Sequence, residues 1–148
     1  MTELPPLMRD QRRTVADHLR LLAIFHFVMA GLAIVGLGFL LLHYAVMHTV
    51  MASPELWKNQ KGGAPPPEQI LAMFKWFYLF AGALLIVGGI GNLASGLFIR
   101  KQSNRMFSLI IAGINCVQFP FGTMLGVFTF VVLLRDSVRE VYAARQFP

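Results

Sequence analysis

Residues 106–134 read MFSLIIAGINCVQFPFGTMLGVFTFVVLL, a stretch without a single Asp, Glu, Lys or Arg and with Phe119-Pro120-Phe121-Gly122 at its middle. As one helix it would be about 43 Å long, well beyond the roughly 30 Å hydrocarbon core of a bilayer. Proline removes a backbone donor and clashes with the preceding turn, while glycine tolerates the tight reversal that follows. The stretch therefore reads as two short helices, 106–119 and 121–134.

Two more stretches, Leu21–Pro54 and Trp76–Ile99, are equally free of charge, and the three together make up well over half of the 148 residues. A soluble domain of this size has no interior for so much apolar chain, whereas uncharged segments of about 20 residues cross a bilayer as helices. Helix 1 is expected at about 19–48 and helix 2 at about 68–99. The expected fold is an all-α integral membrane protein with four transmembrane helices, one long hairpin and one short, in a single membrane domain spanning 1–148. Residues 53–67 (SPELWKNQKGGAPPP) are the expected extracytoplasmic loop, punctuated by Gly62-Gly63 and Pro65-Pro66-Pro67. Residues 1–18 and 135–148 are the expected tails. Thr14 followed by Asp17 is a helix-start signal of the Ser/Thr-x-x-acid type. The first apolar run is followed by small residues at Val50-Met51-Ala52, but it is too long for a secretory signal, and an uncleaved helix is expected.

The charges orient this arrangement. The net charge of +6 would ordinarily raise the question of nucleic acid, but the cations sit at the ends of the apolar runs. With four spans, ten of the 13 Lys and Arg fall on one side: Arg9, Arg12, Arg13, Arg20, Arg100, Lys101, Arg105, Arg135, Arg139 and Arg145. Lys58 and Lys61 fall on the other, with Lys75 near its interface. The positive-inside rule then places both termini in the cytoplasm, whereas a three-span chain would export the last three arginines. The implied partners are the lipid bilayer, anionic headgroups included, and not nucleic acid. Phe74, Trp76, Phe77, Tyr78 and Phe80 read as an aromatic belt at the outer interface.

Small residues recur at heptad spacing. Gly82, Gly89 and Gly96 lie seven apart on helix 2, as do Gly31 and Gly38 on helix 1. Such a seam lets backbones approach where lipid supplies no hydrophobic drive for helices to associate. Packing of helix 1 on helix 2 is the simpler account, and a homo-oligomer seam is the alternative. Gly122-x-x-x-Gly126 is the one strict GxxxG, a pattern associated with helix dimers.

Residues that carry chemistry are sparse. His18, His26, His43 and His48 all belong to helix 1 or its flanks; His43 and His48 are five apart and do not share a face, so no metal or haem site is expected. His26 is the ionisable group inside a span, and with Asn92 and Asn115 it is a candidate for a polar pathway. No carboxylate lies inside any span, which argues against a proton-coupled transporter. No Ser/His/Asp, Cys/His or paired-carboxylate set shares a depth, so no enzyme activity, catalytic residue or cofactor is expected. Cys116 excludes an intramolecular disulfide. Asp136 and Glu140 beside Arg135 and Arg139 form a solvated face of a helical tail whose other face carries Leu134, Val138, Val141 and Tyr142, suited to a membrane surface or a partner.

Leu19–Gly31 (LRLLAIFHFVMAG) and Cys116–Val138 (CVQFPFGTMLGVFTFVVLLRDSV) resemble segments of small bacterial membrane proteins of unknown function. The resemblance implies a four-helix protein of the bacterial inner membrane and brings no activity, ligand or site residues with it. The expected role is an accessory or scaffold component working by helix–helix association, as a homo-oligomer or on a larger membrane partner. The alternative is a small homo-oligomeric channel, transporter or lipid-binding protein.

Overall fold

The computed structural model describes residues 6–53, 55, 67–118 and 120–146. Most of the expected 53–67 loop, with Lys58 and Lys61, lies outside the described residues, as does Phe119. Among the described residues the chain is all-helical, with no strand: α1 (Pro6–Met51), α2 (Pro67–Lys101), α3 (Arg105–Cys116), α4 (Phe121–Leu133) and α5 (Asp136–Gln146). Helix α1 begins well before the expected position. Pro6 suits a first helical turn, where its missing N–H is no loss, and nothing breaks the chain after it. Thr14 and Asp17 lie inside the helix rather than at its start, and much of the expected N-terminal tail is helical.

Segments Arg13–Met51 of α1 and Gln69–Lys101 of α2 are long and apolar enough to cross a membrane. At 12 and 13 residues, α3 and α4 are about 18 and 20 Å long, each short of a hydrocarbon core. A third span by length and composition would have to join α4 to α5 across a 71° bend.

Helix α2 stops through a backbone device. Ser103 N–H bonds back to Phe98 O at 2.9 Å and Gln102 N–H to Ile99 O at 3.1 Å, the paired pattern of a Schellman cap. Gln102 occupies the left-handed position of that cap, at φ 52°, where glycine is the usual residue. Asn104 (φ 47°) then starts α3, accepting from Phe107 N–H at 3.0 Å. The break in the 106–134 stretch falls between Cys116 and Phe121, with Pro120 at the N-cap of α4. There Gln118 N–H donates to Asn115 O at 2.8 Å and Thr123 Oγ1 to Cys116 O at 2.8 Å, so side chain and turn share the orphaned carbonyls of α3.

The chain divides into two compact units, Met1–Gly31 with Gly88–Pro148, and Leu32–Val87. In the first, Val15, Leu19, Leu22 and Ala23 of α1 pack with Ile99 of α2, Leu125, Val132 and Leu133 of α4, and Val138 and Tyr142 of α5. The apolar face expected to make α5 a surface or partner helix is thus covered by the chain itself at Val138 and Tyr142, while Leu134 stays exposed. In the second unit, Leu85 Cδ2 lies 3.3 Å, and Leu40 Cδ2 3.6 Å, from where a Cβ on Gly36 and on Gly82 would stand. Tyr78 is the centre of an aromatic group with His43, Tyr44, Phe74 and Phe77, and its hydroxyl lies 2.6 Å from His43 Nδ1. Large apolar side chains face outward from both long helices, Ile34 at 73% and Trp76 at 75% exposure, as expected for a lipid-facing surface.

Two outcomes follow. Gln102→Gly removes left-handed strain and should raise stability by about 0.5–1 kcal/mol, read by thermal unfolding in micelles. Burial pushes the Tyr142 phenol up to about 12 from 10.0, the Arg105 cation offsetting part of the shift, and its hydroxyl has no hydrogen-bond partner. The unfolded chain releases this proton near pH 10.0 while the folded chain holds it to about 12, so the contribution is complete below pH 10.0 and is lost as pH rises through that window. Tyr142→Phe should be neutral to within about 1 kcal/mol at pH 7 and should flatten this decline in stability.

Candidate functional site

The polar positions inside the apolar helices converge in the first unit. Asn92 on α2 and Asn115 on α3 are fully buried and bonded to each other in both directions: Asn92 Nδ2 donates to Asn115 Oδ1 at 2.9 Å, and Asn115 Nδ2 to Asn92 Oδ1 at 2.8 Å. The second Asn92 amide hydrogen is used one turn back, on Gly88 O at 2.9 Å. A carboxamide carries donor and acceptor on one planar group, so two of them close a ring of two hydrogen bonds. In an apolar surrounding the pair has no water to compete with, and it locks α2 to α3 at one register.

His26 is fully buried on α1. Its Nδ1–H donates to Leu22 O at 3.1 Å, which leaves Nε2 as a buried acceptor without a partner among the described residues. The hydroxyls of Ser95 on α2 and Ser108 on α3 are likewise buried and unpartnered. The structure thus joins Asn92 to Asn115 and gives His26 a bond within its own helix. Among the described residues, no group of three or more His, Cys, Asp or Glu side chains is placed to hold a metal ion.

The glycines divide by what surrounds them. A Cβ on Gly122 would stand 2.5 Å from Asn115 O, and one on Gly126 would stand 2.5 Å from Ala112 O, so the GxxxG pair is the contact by which α4 lies against the backbone of α3. Its closeness is consumed inside the chain rather than in a dimer. Gly96 faces the Phe27 ring, whose nearest carbon would be 2.7 Å from an added Cβ. Gly89 is half-buried, and a Cβ on Gly82 would meet Leu40 at ordinary van der Waals distance. Among the described residues, a Cβ added to Gly31 or Gly38 would meet nothing within 4 Å.

A cleft of about 450 Å³ in the first unit is lined by Arg20 of α1, Arg100 of α2 and Gln102 of the turn, together with apolar residues that include Leu19, Ile24 and Phe27. Its signal was present in the chain, since Arg20 is the last charge before one apolar run and Arg100 the first after another. That the two meet on one cavity depends on how α1 packs against α2.

The amide pair predicts a non-additive cycle. Asn92→Leu leaves Asn115 buried with unmet hydrogen bonds and should cost about 1–3 kcal/mol, as should Asn115→Leu. The double Leu variant should lose less than the sum of the two, read by unfolding in micelles; additive losses would mean the pair is not coupled. Compared with protein-family models, with curated proteins and with solved structures, the chain finds no match.

Proposed function

We propose that this chain is a small multi-pass protein of the bacterial inner membrane that acts as an accessory or scaffold component through helix–helix association. The observation that carries this reading is the open ground around Gly31 and Gly38. Other glycines, Gly96, Gly122 and Gly126 among them, are closed over by side chains or backbone of the same chain, whereas a Cβ on either of these two, seven residues apart on α1, would meet nothing within 4 Å among the described residues. Two glycines at heptad spacing on an uncovered apolar helix offer a second helix the close approach that drives association in lipid. The occupant is a helix of another copy or of a larger membrane subunit.

In this topology α1 and α2 cross the membrane with both termini cytoplasmic, which keeps Arg20, Arg100, Arg105, Arg135 and Arg139 inside. The short α3–α4 hairpin is the second pair of membrane-embedded helices, seated in a thinned or protein-lined part of the bilayer. Helix α5 lies at the cytoplasmic interface, and its exposed Asp136–Arg139 ion pair, at 3.6 Å, suits that wet position. A channel or transporter is less well supported, because Asn92 and Asn115 are spent on each other rather than facing a path. No enzymatic role is proposed.

Substitution on the open face tests this. Gly31→Leu and Gly38→Leu should not lower the monomer's helicity or unfolding temperature, since the added Cβ meets open space among the described residues and leucine favours a helix more than glycine. They should abolish the discrete homo-oligomer, or the stoichiometric complex with a larger subunit, seen by native mass spectrometry of gently extracted protein. Association that survives both substitutions would refute the proposed face.

A further inference from the structure

We infer that the cleft bounded by Arg20, Arg100 and Gln102 is a binding site for the headgroup of an anionic phospholipid. The inference does not depend on the association face, which lies elsewhere on α1.

Chemistry and depth both support it. The lining brings together two guanidinium groups and one carboxamide, with no carboxylate among its side chains. Among the described residues neither arginine forms an ion pair, the recorded one being Arg139 with Asp136. A guanidinium fork matches two phosphate oxygens at once, and a carboxamide N–H supplies a further donor to a phosphate or glycerol oxygen. Ile24 and Phe27, about one and two turns further than Arg20 into the uncharged run of α1, also line the cleft. Arg20 and Arg100 each stand at the end of an uncharged run, and the helices meet there, with Phe27 against Gly96 and Leu22 and Ala23 packed with Ile99. Along α1 the cation of the lining therefore comes first and Ile24 and Phe27 follow, the order in which a bilayer presents phosphate and acyl chain.

Size and backbone agree with that occupant. About 450 Å³ falls in the range of small-molecule sites, enough for a headgroup but not for a whole phospholipid. The acyl chains would run along exposed apolar flanks such as Ile24 and Val28, which are 48% and 51% exposed. Gln102 stands where the α2 cap would accept glycine with less strain, and the side chain that glycine would lack lines the cleft.

The test is native mass spectrometry of the full chain with phosphatidylglycerol and phosphatidylcholine of identical acyl chains, offered together at equal concentration. The wild type should retain one phosphatidylglycerol per protomer in preference to phosphatidylcholine. Arg20→Gln and Arg100→Gln should each lower that retention about fivefold, and together more than tenfold, whereas Arg135→Gln with Arg139→Gln should change it little. Ile24→Trp narrows the cleft at a half-exposed position while keeping both cations, and should also lower retention; circular dichroism confirms that each variant is folded. Equal retention of the two lipids, equal loss in the Arg135/Arg139 variant, or no effect of Ile24→Trp would overturn the proposal. So would displacement of the lipid by millimolar inorganic phosphate, which would mark the cleft as a site for the free anion.

Discussion

A backbone N–H or C=O in hydrocarbon has no water to turn to, so a chain this poor in charge must satisfy its peptide groups within its own helices. The rest of the structure follows from that constraint. Where a helix ends inside or near the apolar region, its orphaned groups need local partners. Ser103 and Gln102 N–H supply them at the end of α2, and Thr123 Oγ1 and Gln118 N–H at the end of α3. Each is a short-range bond made by the turn itself, which is why both breaks are compact.

The same constraint decides what holds the helices together. Lipid is as apolar as leucine, so burying leucine against leucine gains little in the spanning region. Close packing and polar pairs remain. The first unit uses both, through the glycine contacts of Gly122 and Gly126 on the α3 backbone and the reciprocal amide pair of Asn92 and Asn115. Toward the two ends of the described chain, ordinary apolar burial is added. Val15 and Leu19 of α1 gather Val138 and Tyr142 of α5 there, and the Tyr142 phenol holds its proton well above the usual range in consequence.

Against that interior, two surfaces stand out for different reasons. Among the described residues, a Cβ added to Gly31 or Gly38 on α1 would meet nothing within 4 Å. The cleft at Arg20 and Arg100 combines two cationic residues with an apolar lining that includes Leu19, Ile24 and Phe27.

Helical class, two long apolar helices and the break at Pro120 were legible in the chain, because charge-free runs and a proline act locally and need no knowledge of the fold. The start of α1 was less so: Thr14 and Asp17 carry a start signal, but nothing before them stops a helix already under way from Pro6. What the glycines and polar groups do was decided by tertiary structure alone. Heptad spacing marks Gly31 and Gly96 alike, yet one is open and the other lies under Phe27. Asn92 and Asn115 are 23 residues apart with no pattern joining them, and only the α2–α3 turn sets their amides face to face. Periodicity reports which residues share a helix face; which face finds a partner depends on the angles at which the turns send each helix back, and those arise from the packing of the whole chain.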